Sequence, residues 1–175
     1  MRLLFFLFPI LVSATTFQHR YFEDVLLENM PARSKIYNGN PTMEYFTQKM
    51  DHFDTNNQAT YQQQFYVDSS NWRGAGQGPV FLYMGGESDL DQRTFEFSWC
   101  AEYAPENGAL CLALEHRFYG DSFPIHNPNP EDLKLLSASQ ALADASNFIA
   151  AMTERYWKIF TQYSSRTQIF ILSLI

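Results

Sequence analysis

The sequence predicts an α/β fold, in which a parallel sheet is covered by helices on both faces. Three continuous apolar runs lead to this prediction, at residues 79–84, 109–114 and 169–172. Runs without polar alternation are typical of strands that are buried on both sides. The segments between them have the length of helices, so the order along the chain is strand, helix, strand, helix, strand. This is the doubly wound α/β pattern.

The two helices of this pattern are predicted from length and periodicity. Residues 90–103 form the first. The second begins at the capping-box pattern Ser137-x-x-Gln140, whose residue types satisfy free N–H groups at a helix start. Its apolar positions are expected to keep to one face. They are Leu142, Ala145, Ile149 and Met152.

An antiparallel strand pair is predicted before the first apolar run. Residues 45–50 and 61–67 are rich in aromatic and β-branched side chains and flank a polar turn. Asp51 opens that turn, and this explains the Asp51-His52-Phe53 triplet better than a catalytic role does.

Composition excludes several classes of protein. The 175 residues are 46% hydrophobic and 17% aromatic, which excludes a disordered tail, a collagen-like array and a coiled coil. The net charge of −7 argues against a nucleic-acid partner. Two cysteines are too few for a structural zinc site, and no metal or cofactor is expected.

The N-terminus has the pattern of a signal peptide. Arg2 precedes an apolar run over residues 3–12, and Ser13-Ala14 supplies small residues for cleavage. The run is too short to span a membrane, so no membrane anchor is expected. We therefore assign residues 1–14 to secretory targeting, with an extracellular or lysosomal destination. Residues 15–44 are interpreted as an N-terminal arm or pro-segment, and residues 45–175 as the folded domain.

The two cysteines, Cys100 and Cys111, have two interpretations that the sequence leaves open. In an oxidising compartment they could pair and close a short loop. Alternatively both are buried thiols, because free cysteine packs as a small hydrophobic residue.

Candidate site residues follow the first two apolar runs. Gly85 and Gly86 would let backbone N–H groups face a ligand, as in an oxyanion hole, and Glu87 comes directly after them. The carboxyl ends of parallel strands are where an α/β sheet builds its site.

The second apolar run is followed by Glu115, Arg117 and Tyr119. We expect the charges of this segment to meet Glu87 across adjacent strand ends, where an Arg–carboxylate pair would make the site rigid. His116 is interpreted as a hydrogen-bonded structural residue.

Four segments together resemble a family of serine exopeptidases. In chain order they are Met50-Asp51-His52-Phe53-Asp54, Gly78-Pro79-Val80-Phe81-Leu82-Tyr83-Met84-Gly85-Gly86-Glu87, Glu115-His116-Arg117-Phe118-Tyr119-Gly120-Asp121-Ser122-Phe123-Pro124 and Leu135-Leu136-Ser137-Ala138-Ser139-Gln140-Ala141-Leu142-Ala143-Asp144. The family is that of lysosomal prolyl carboxypeptidase, dipeptidyl peptidase II and thymus-specific serine protease. The sequences of the four segments are most similar to the thymus-specific branch. The resemblance implies a partial α/β-hydrolase fold, holding the first strands and helices without the cap domain.

The resemblance also implies a triad that these residues do not contain. Hydrolases of this fold carry Ser, Asp and His in that order, with the serine on a Gly-x-Ser-x-Gly turn. No such pattern occurs here, and Ser173 has no flanking glycines. The four histidines all precede the expected serine; they are His19, His52, His116 and His126.

Two functions are therefore expected as alternatives. The first is the N-terminal third of a secreted or lysosomal serine exopeptidase, truncated before its nucleophile and inactive alone; peptide is a substrate only in the full architecture. The second is a secreted, non-catalytic hydrolase-like binding or decoy protein. In either case the last apolar run leaves an exposed strand edge, which is expected to pair with another chain.

Overall fold

The computed structural model describes residues 37–157 and 169–172, which belong to one compact unit, Arg33–Ile175. The predicted signal peptide and most of the predicted arm, together residues 1–36, lie outside the described residues.

Within the described residues the fold is built on one mixed sheet. Its strands are β1 (Thr42–Lys49), β2 (Thr60–Asp68), β3 (Val80–Met84), β4 (Leu110–Leu114) and β5 (Ile169–Leu172). They lie side by side in the order β1-β2-β4-β3-β5. β3 is parallel to both β4 and β5, whereas β1 and β2 form an antiparallel pair that joins β4 through β2. The predicted α/β class, the antiparallel pair and the parallel apolar strands are all confirmed. The first strand begins at Thr42, ahead of the predicted domain start at residue 45.

The helices connect the parallel strands. They are α1 (Gln92–Glu96), α2 (Trp99–Asn107) and α3 (Ala138–Trp157), and a short 3₁₀ turn covers Asp132–Leu135. The single helix predicted over residues 90–103 is wrong, because the chain breaks into α1 and α2. Ser98 causes the break, since its hydroxyl accepts from Ala101 N–H at 3.3 Å and starts a new helix.

Helix α3 begins where the sequence predicts, and its buried face differs from the predicted one at Leu142. Ser137 Oγ accepts from Gln140 N–H at 3.3 Å, as an N-cap should. The predicted apolar face is wrong at Leu142, which is 71% exposed. Ala145 and Met152 are buried as predicted, and Ile149 packs against the core. The buried face also includes Gln140, Asp144 and Phe148, which were not predicted. Two of these residues are polar, so α3 carries side chains for a polar network as well as for the core.

Apolar clusters lie on both faces of the sheet. On one face Phe148 of α3 packs edge-to-face against Phe46 and Phe65, with ring centroids 5.4 and 5.1 Å apart. On the other face α1 and α2 pack against alternate residues of β3 and β4. Here the structure joins Cys100 of α2 to Cys111 of β4 in a disulfide, with Cα atoms 5.8 Å apart. The bridge ties α2 to the strand that it covers.

None of the described helices between residues 37 and 157 combines the length and apolar content needed to cross a bilayer.

Candidate active site at the carboxyl end of the parallel strands

The glycine pair after β3 lies at the edge where β4 also ends. Gly85 N–H donates to Leu114 O at 2.8 Å, which extends the parallel ladder by one residue. A Cβ on Gly85 would come within 3.0 Å of the same carbonyl oxygen, so a side chain there would push the strands apart. A Cβ on Gly86 would meet nothing within 4 Å. Gly85 N–H is thus used by the sheet, and the oxyanion hole remains a prediction that depends on Gly86 and Glu87.

Glu115 ties the loop after β3 to the loop after β4. Its carboxylate is buried, and it accepts from Leu90 N–H at 2.8 Å, Asp121 N–H at 3.0 Å and Ser122 Oγ at 2.6 Å. Gly120 lies against this carboxylate with a φ of +51°. A Cβ at position 120 would overlap with the Glu115 carboxylate, so the loop requires glycine here.

The protonation of Glu115 should make stability depend on pH. Burial raises the pKa of this carboxyl above its ordinary value of 4.5, although the groups that donate to it act in the opposite direction. The folded chain therefore holds this proton more tightly than the unfolded chain. The contribution to the free energy of unfolding is complete below pH 4.5 and is lost as the pH rises through the raised pKa.

Urea unfolding at a series of pH values from below 4.5 to neutrality measures this contribution, with Glu115→Gln as the reference variant. Glutamine does not titrate, so the stability difference, wild type minus Glu115→Gln, should fall as the pH rises. A difference that stays constant with pH would contradict the assignment.

Arg117 does not pair with Glu87 as predicted. It forms a bidentate ion pair with Asp144 of α3, with Nε–Oδ2 at 2.6 Å and Nη2–Oδ1 at 2.7 Å. Both side chains are at most 1% exposed. Arg117 pairs with Asp144 and not with Glu87 because its guanidinium group is buried, where all its N–H groups need acceptors. Carbonyl oxygens in the interior accept from the N–H groups that Asp144 does not use. These are the carbonyl oxygens of Lys49, Met50 and Leu135.

Asp144 has two further partners. His52 Nε2 lies 2.8 Å from Oδ1, and the Tyr61 hydroxyl donates to Oδ2 at 3.0 Å. Burial, and secondarily the negative charge of Asp144, raises the pKa of Tyr61. With Arg117 neutralising Asp144, the His52–Asp144 contact belongs to a buried structural network. His52 shares Asp144 with Arg117, so His52 and Asp144 do not form an isolated acid–base pair.

Amide side chains extend the network to the strands. Gln48 Nε2 donates to Gln63 Oε1 at 3.0 Å and to Asp144 O at 3.1 Å. Gln63 Nε2 in turn donates to Glu115 O at 2.8 Å. β1, β2, β4 and α3 are thereby linked by hydrogen bonds at the end of β4.

The Asp51 turn is attached to the same helix. Asp51 Oδ1 accepts from Phe53 N–H at 2.9 Å and Asp54 N–H at 3.2 Å, which confirms its predicted turn-forming role. These bonds, together with that from Gln140 Nε2 at 2.6 Å, lower the pKa of Asp51. Gln140 Oε1 also accepts from His52 N–H at 3.0 Å. The Gln140 side chain therefore anchors the turn and does not close a capping box.

The accessible rim of the candidate site consists of Glu87, His116 and Tyr119. Partial burial, and secondarily the negative charge of the exposed Glu87, raises the pKa of Tyr119. The His116 and Tyr119 rings meet edge-to-face at 5.3 Å. His116 Nδ1 lies 2.8 Å from Arg117 O. The structure thus leaves Glu87 and Tyr119 accessible, while Glu115 and Arg117 are buried.

Several site residues were missed by sequence reasoning. They are Gln48, Tyr61, Gln63, Ser122 and Asp144. A signal existed for Asp144, because a carboxylate four residues from both Gln140 and Phe148 lies on the buried helical face. The strand glutamines carry no comparable pattern.

A family model described as serine carboxypeptidase S28 matches residues 48–167 of the chain. Human thymus-specific serine protease is 34% identical over 116 residues, covering 66% of this chain and 22% of that protein. Human lysosomal Pro-X carboxypeptidase is 33% identical over 124 residues, covering 69% and 24%. The chain thus matches less than a quarter of the length of these relatives. Among solved structures, an esterase of Pyrobaculum calidifontis aligns with a TM-score of 0.49 and 15% identity, over 95% of this chain and 45% of that one.

Proposed function

Because this chain belongs to the serine carboxypeptidase S28 family, we propose that residues 45–175 form the N-terminal part of a serine-type exopeptidase domain. The main support is the meeting of the four family-like segments around one strand end. The Arg117–Asp144 ion pair joins the third segment, residues 115–124, to the fourth, residues 135–144. The contact of His52 with Asp144 attaches the first segment, residues 50–54. Such a network is suited to holding strand-end loops in one geometry, as acyl-transfer chemistry requires.

The location proposed for the protein is the secretory pathway, with an extracellular or lysosomal destination. The signal-like sequence of residues 1–14 and the name of the lysosomal relative support it. The disulfide between Cys100 and Cys111 agrees with an oxidising compartment.

The catalytic serine is not expected among these residues. The 175 residues contain no Gly-x-Ser-x-Gly pattern. We therefore propose that they supply scaffold and candidate oxyanion donors, and that on their own they do not form an acyl-enzyme.

A fluorophosphonate probe, which labels activated serines, tests both parts of the proposal. The 175-residue chain should show no labelling. A chimera of human lysosomal Pro-X carboxypeptidase, with its matching segment replaced by residues 48–167, should still be labelled at its reactive serine.

Labelling of any serine in the 175-residue chain would contradict its inactivity. A chimera that is folded, as judged by a cooperative unfolding transition, but fails to label would contradict the scaffold function. The human parent protein serves as the positive control.

We also propose that the outer edge of β5 pairs with another chain. β5 ends the strand order within the described sheet, and an open edge presents unpaired N–H and C=O groups to a partner. The alternative function, a non-catalytic binding protein, depends on this edge. Analytical ultracentrifugation of the 175-residue chain tests pairing with a second copy: association should increase with concentration, and a chain that stays monomeric would contradict such pairing.

A further inference from the structure

The chain contains two Asn-Gly pairs, Asn38-Gly39 and Asn107-Gly108. An asparagine that precedes glycine is prone to deamidation, because glycine has no Cβ to hinder attack by its nitrogen on the asparagine side chain. Both asparagines are exposed, so access to water does not distinguish them. They differ in backbone structure and in hydrogen bonding.

Asn107 is held at the end of a helix. It is the last residue of α2, and its Nδ2 donates to Tyr103 O at 2.8 Å. The N–H of Gly108 donates to Ala104 O, and the φ of +61° at Gly108 ends the helix. The attacking nitrogen and the amide that would leave are thus both engaged in hydrogen bonds, which must open before the two groups can react.

Asn38 lies outside the helices and strands, in residues 37–41 ahead of β1. Within the described part of the chain, no hydrogen bond uses the Asn38 side chain or the Gly39 N–H. No hydrogen bond of that part therefore has to open before these groups react. The neighbouring Asn40 precedes Pro41, whose nitrogen has no hydrogen to lose and does not react in this way.

The residues around Asn38 are tied to the end of β2. The Tyr37 hydroxyl donates to Asp68 Oδ2 at 2.5 Å, and Asn40 N–H donates to Ser70 Oγ at 3.1 Å. Gly39 lies between these two ties, so close to Tyr37 and Asp68 that an added Cβ would overlap with both side chains. This contact has no room for an extra backbone atom.

We propose that Asn38-Gly39 is a site of spontaneous deamidation, and that its isoaspartate product loosens this contact. The Gly39 nitrogen attacks Asn38 Cγ, a C–N bond forms, and the side-chain nitrogen leaves as ammonia with the proton from Gly39. Water then opens the resulting succinimide at one of its two carbonyls, which gives aspartate or isoaspartate. One water is consumed and one ammonia is released, and nothing is oxidised or reduced.

The isoaspartate product changes both the length and the charge of the segment. Its backbone runs through the side-chain carbon, which adds one methylene between the tied residues Tyr37 and Asn40. It also adds a negative charge to a segment that contacts the Asp68 carboxylate, and like charges repel. Both changes favour release of residues 37–40 from β2. The inference goes beyond the proposed peptidase function and does not depend on it.

Incubation of the 175-residue chain at neutral pH, followed by tryptic digestion and mass spectrometry, tests the assignment. Trypsin separates the two sites into residues 36–49 and residues 94–117. The mass gained when NH2 is replaced by OH should appear in the first peptide at least about tenfold faster, because the hydrogen bonds at Asn107 must open first. In concentrated urea, where the helix is lost, the two rates should converge.

Two variants and a second measurement locate the effect. Asn38→Gln should keep the first peptide at its original mass, because glutamine would have to close a larger ring and does so far more slowly. Asn107→Gln is the matched control and should leave the rate at Asn38 unchanged. Hydrogen exchange of the Asn40 amide should become faster as isoaspartate accumulates in the wild type, and should stay constant in Asn38→Gln.

Equal rates at the two sites in the folded chain, or an Asn38 that stays unmodified, would overturn the assignment of the site. An Asn40 amide whose exchange does not change while isoaspartate accumulates would overturn the loosening of the contact. Neither result bears on the proposed peptidase function.

Discussion

Replacing Arg117 with alanine should lower the free energy of unfolding by about 3–5 kcal/mol, because the variant leaves the Asp144 carboxylate buried without its cation. Both side chains are at most 1% exposed, so water cannot solvate the remaining charge. Three backbone carbonyls also lose their donor. Urea unfolding followed by circular dichroism measures the difference.

The chain offers a matched control on its surface. Arg155 also forms a bidentate ion pair, with Nη1 at 2.7 Å and Nη2 at 3.1 Å from the Glu44 carboxylate oxygens. These side chains are 46% and 34% exposed. Arg155→Ala should therefore cost less than about 1 kcal/mol. Similar losses for the two arginine variants would show that Arg117 is not paired in the interior.

Replacing Gly120 with alanine should lower the free energy of unfolding by about 3 kcal/mol. A φ of +51° costs a residue with a Cβ about 1–2 kcal/mol. The added Cβ would also displace the Glu115 carboxylate, and each buried hydrogen bond lost there costs about 1–3 kcal/mol. Chemical denaturation provides the value.

Two other glycines separate the causes of that loss. Gly74 has a φ of +96° with nothing within 4 Å of an added Cβ, so Gly74→Ala reports backbone strain alone, about 1–2 kcal/mol. Gly86 has neither a positive φ nor a neighbour within 4 Å, and Gly86→Ala should change stability by less than about 0.5 kcal/mol. A Gly120→Ala loss no larger than that of Gly74→Ala would contradict the role of Glu115.

The parallel strands could be predicted because their apolar runs reflect burial on both faces. Residues 80–84 and 110–114 pair in parallel, and residues 169–172 join the same sheet. The strand order could not be predicted in the same way. β4 lies between β2 and β3, and apolar content does not specify which neighbour each strand takes.

The polar residues on the buried face of α3 escaped prediction for a different reason. Hydrophobic periodicity assumes that polar residues face water, yet Gln140 and Asp144 lie inside. They are stable there because Asp51, His52 and Arg117 satisfy them. A polar residue whose partner is distant in sequence has no local signal.

The candidate site was predictable in position but only partly in its pairings. Glu87 and Tyr119 follow two strands that end at one edge, and the charge of Glu87 contributes to raising the pKa of Tyr119. The sequence predicted the wrong carboxylate partner for Arg117 because it does not reveal the distance from the guanidinium to each carboxylate. It also does not reveal that Arg117 is buried, and a buried arginine needs a buried partner. Glu115 is buried as well, and its carboxylate accepts from the backbone N–H groups of Leu90 and Asp121.

A double-mutant cycle on Arg117 and Asp144 tests most directly whether the family-like segments meet through this ion pair. The cycle compares Arg117→Met, Asp144→Leu and the variant that carries both changes. If the two charges are partners, removing both should cost about 2–3 kcal/mol less than the sum of the single losses. Single losses that add within about 0.5 kcal/mol would mean that the two residues do not interact, and the proposed site would lose its support.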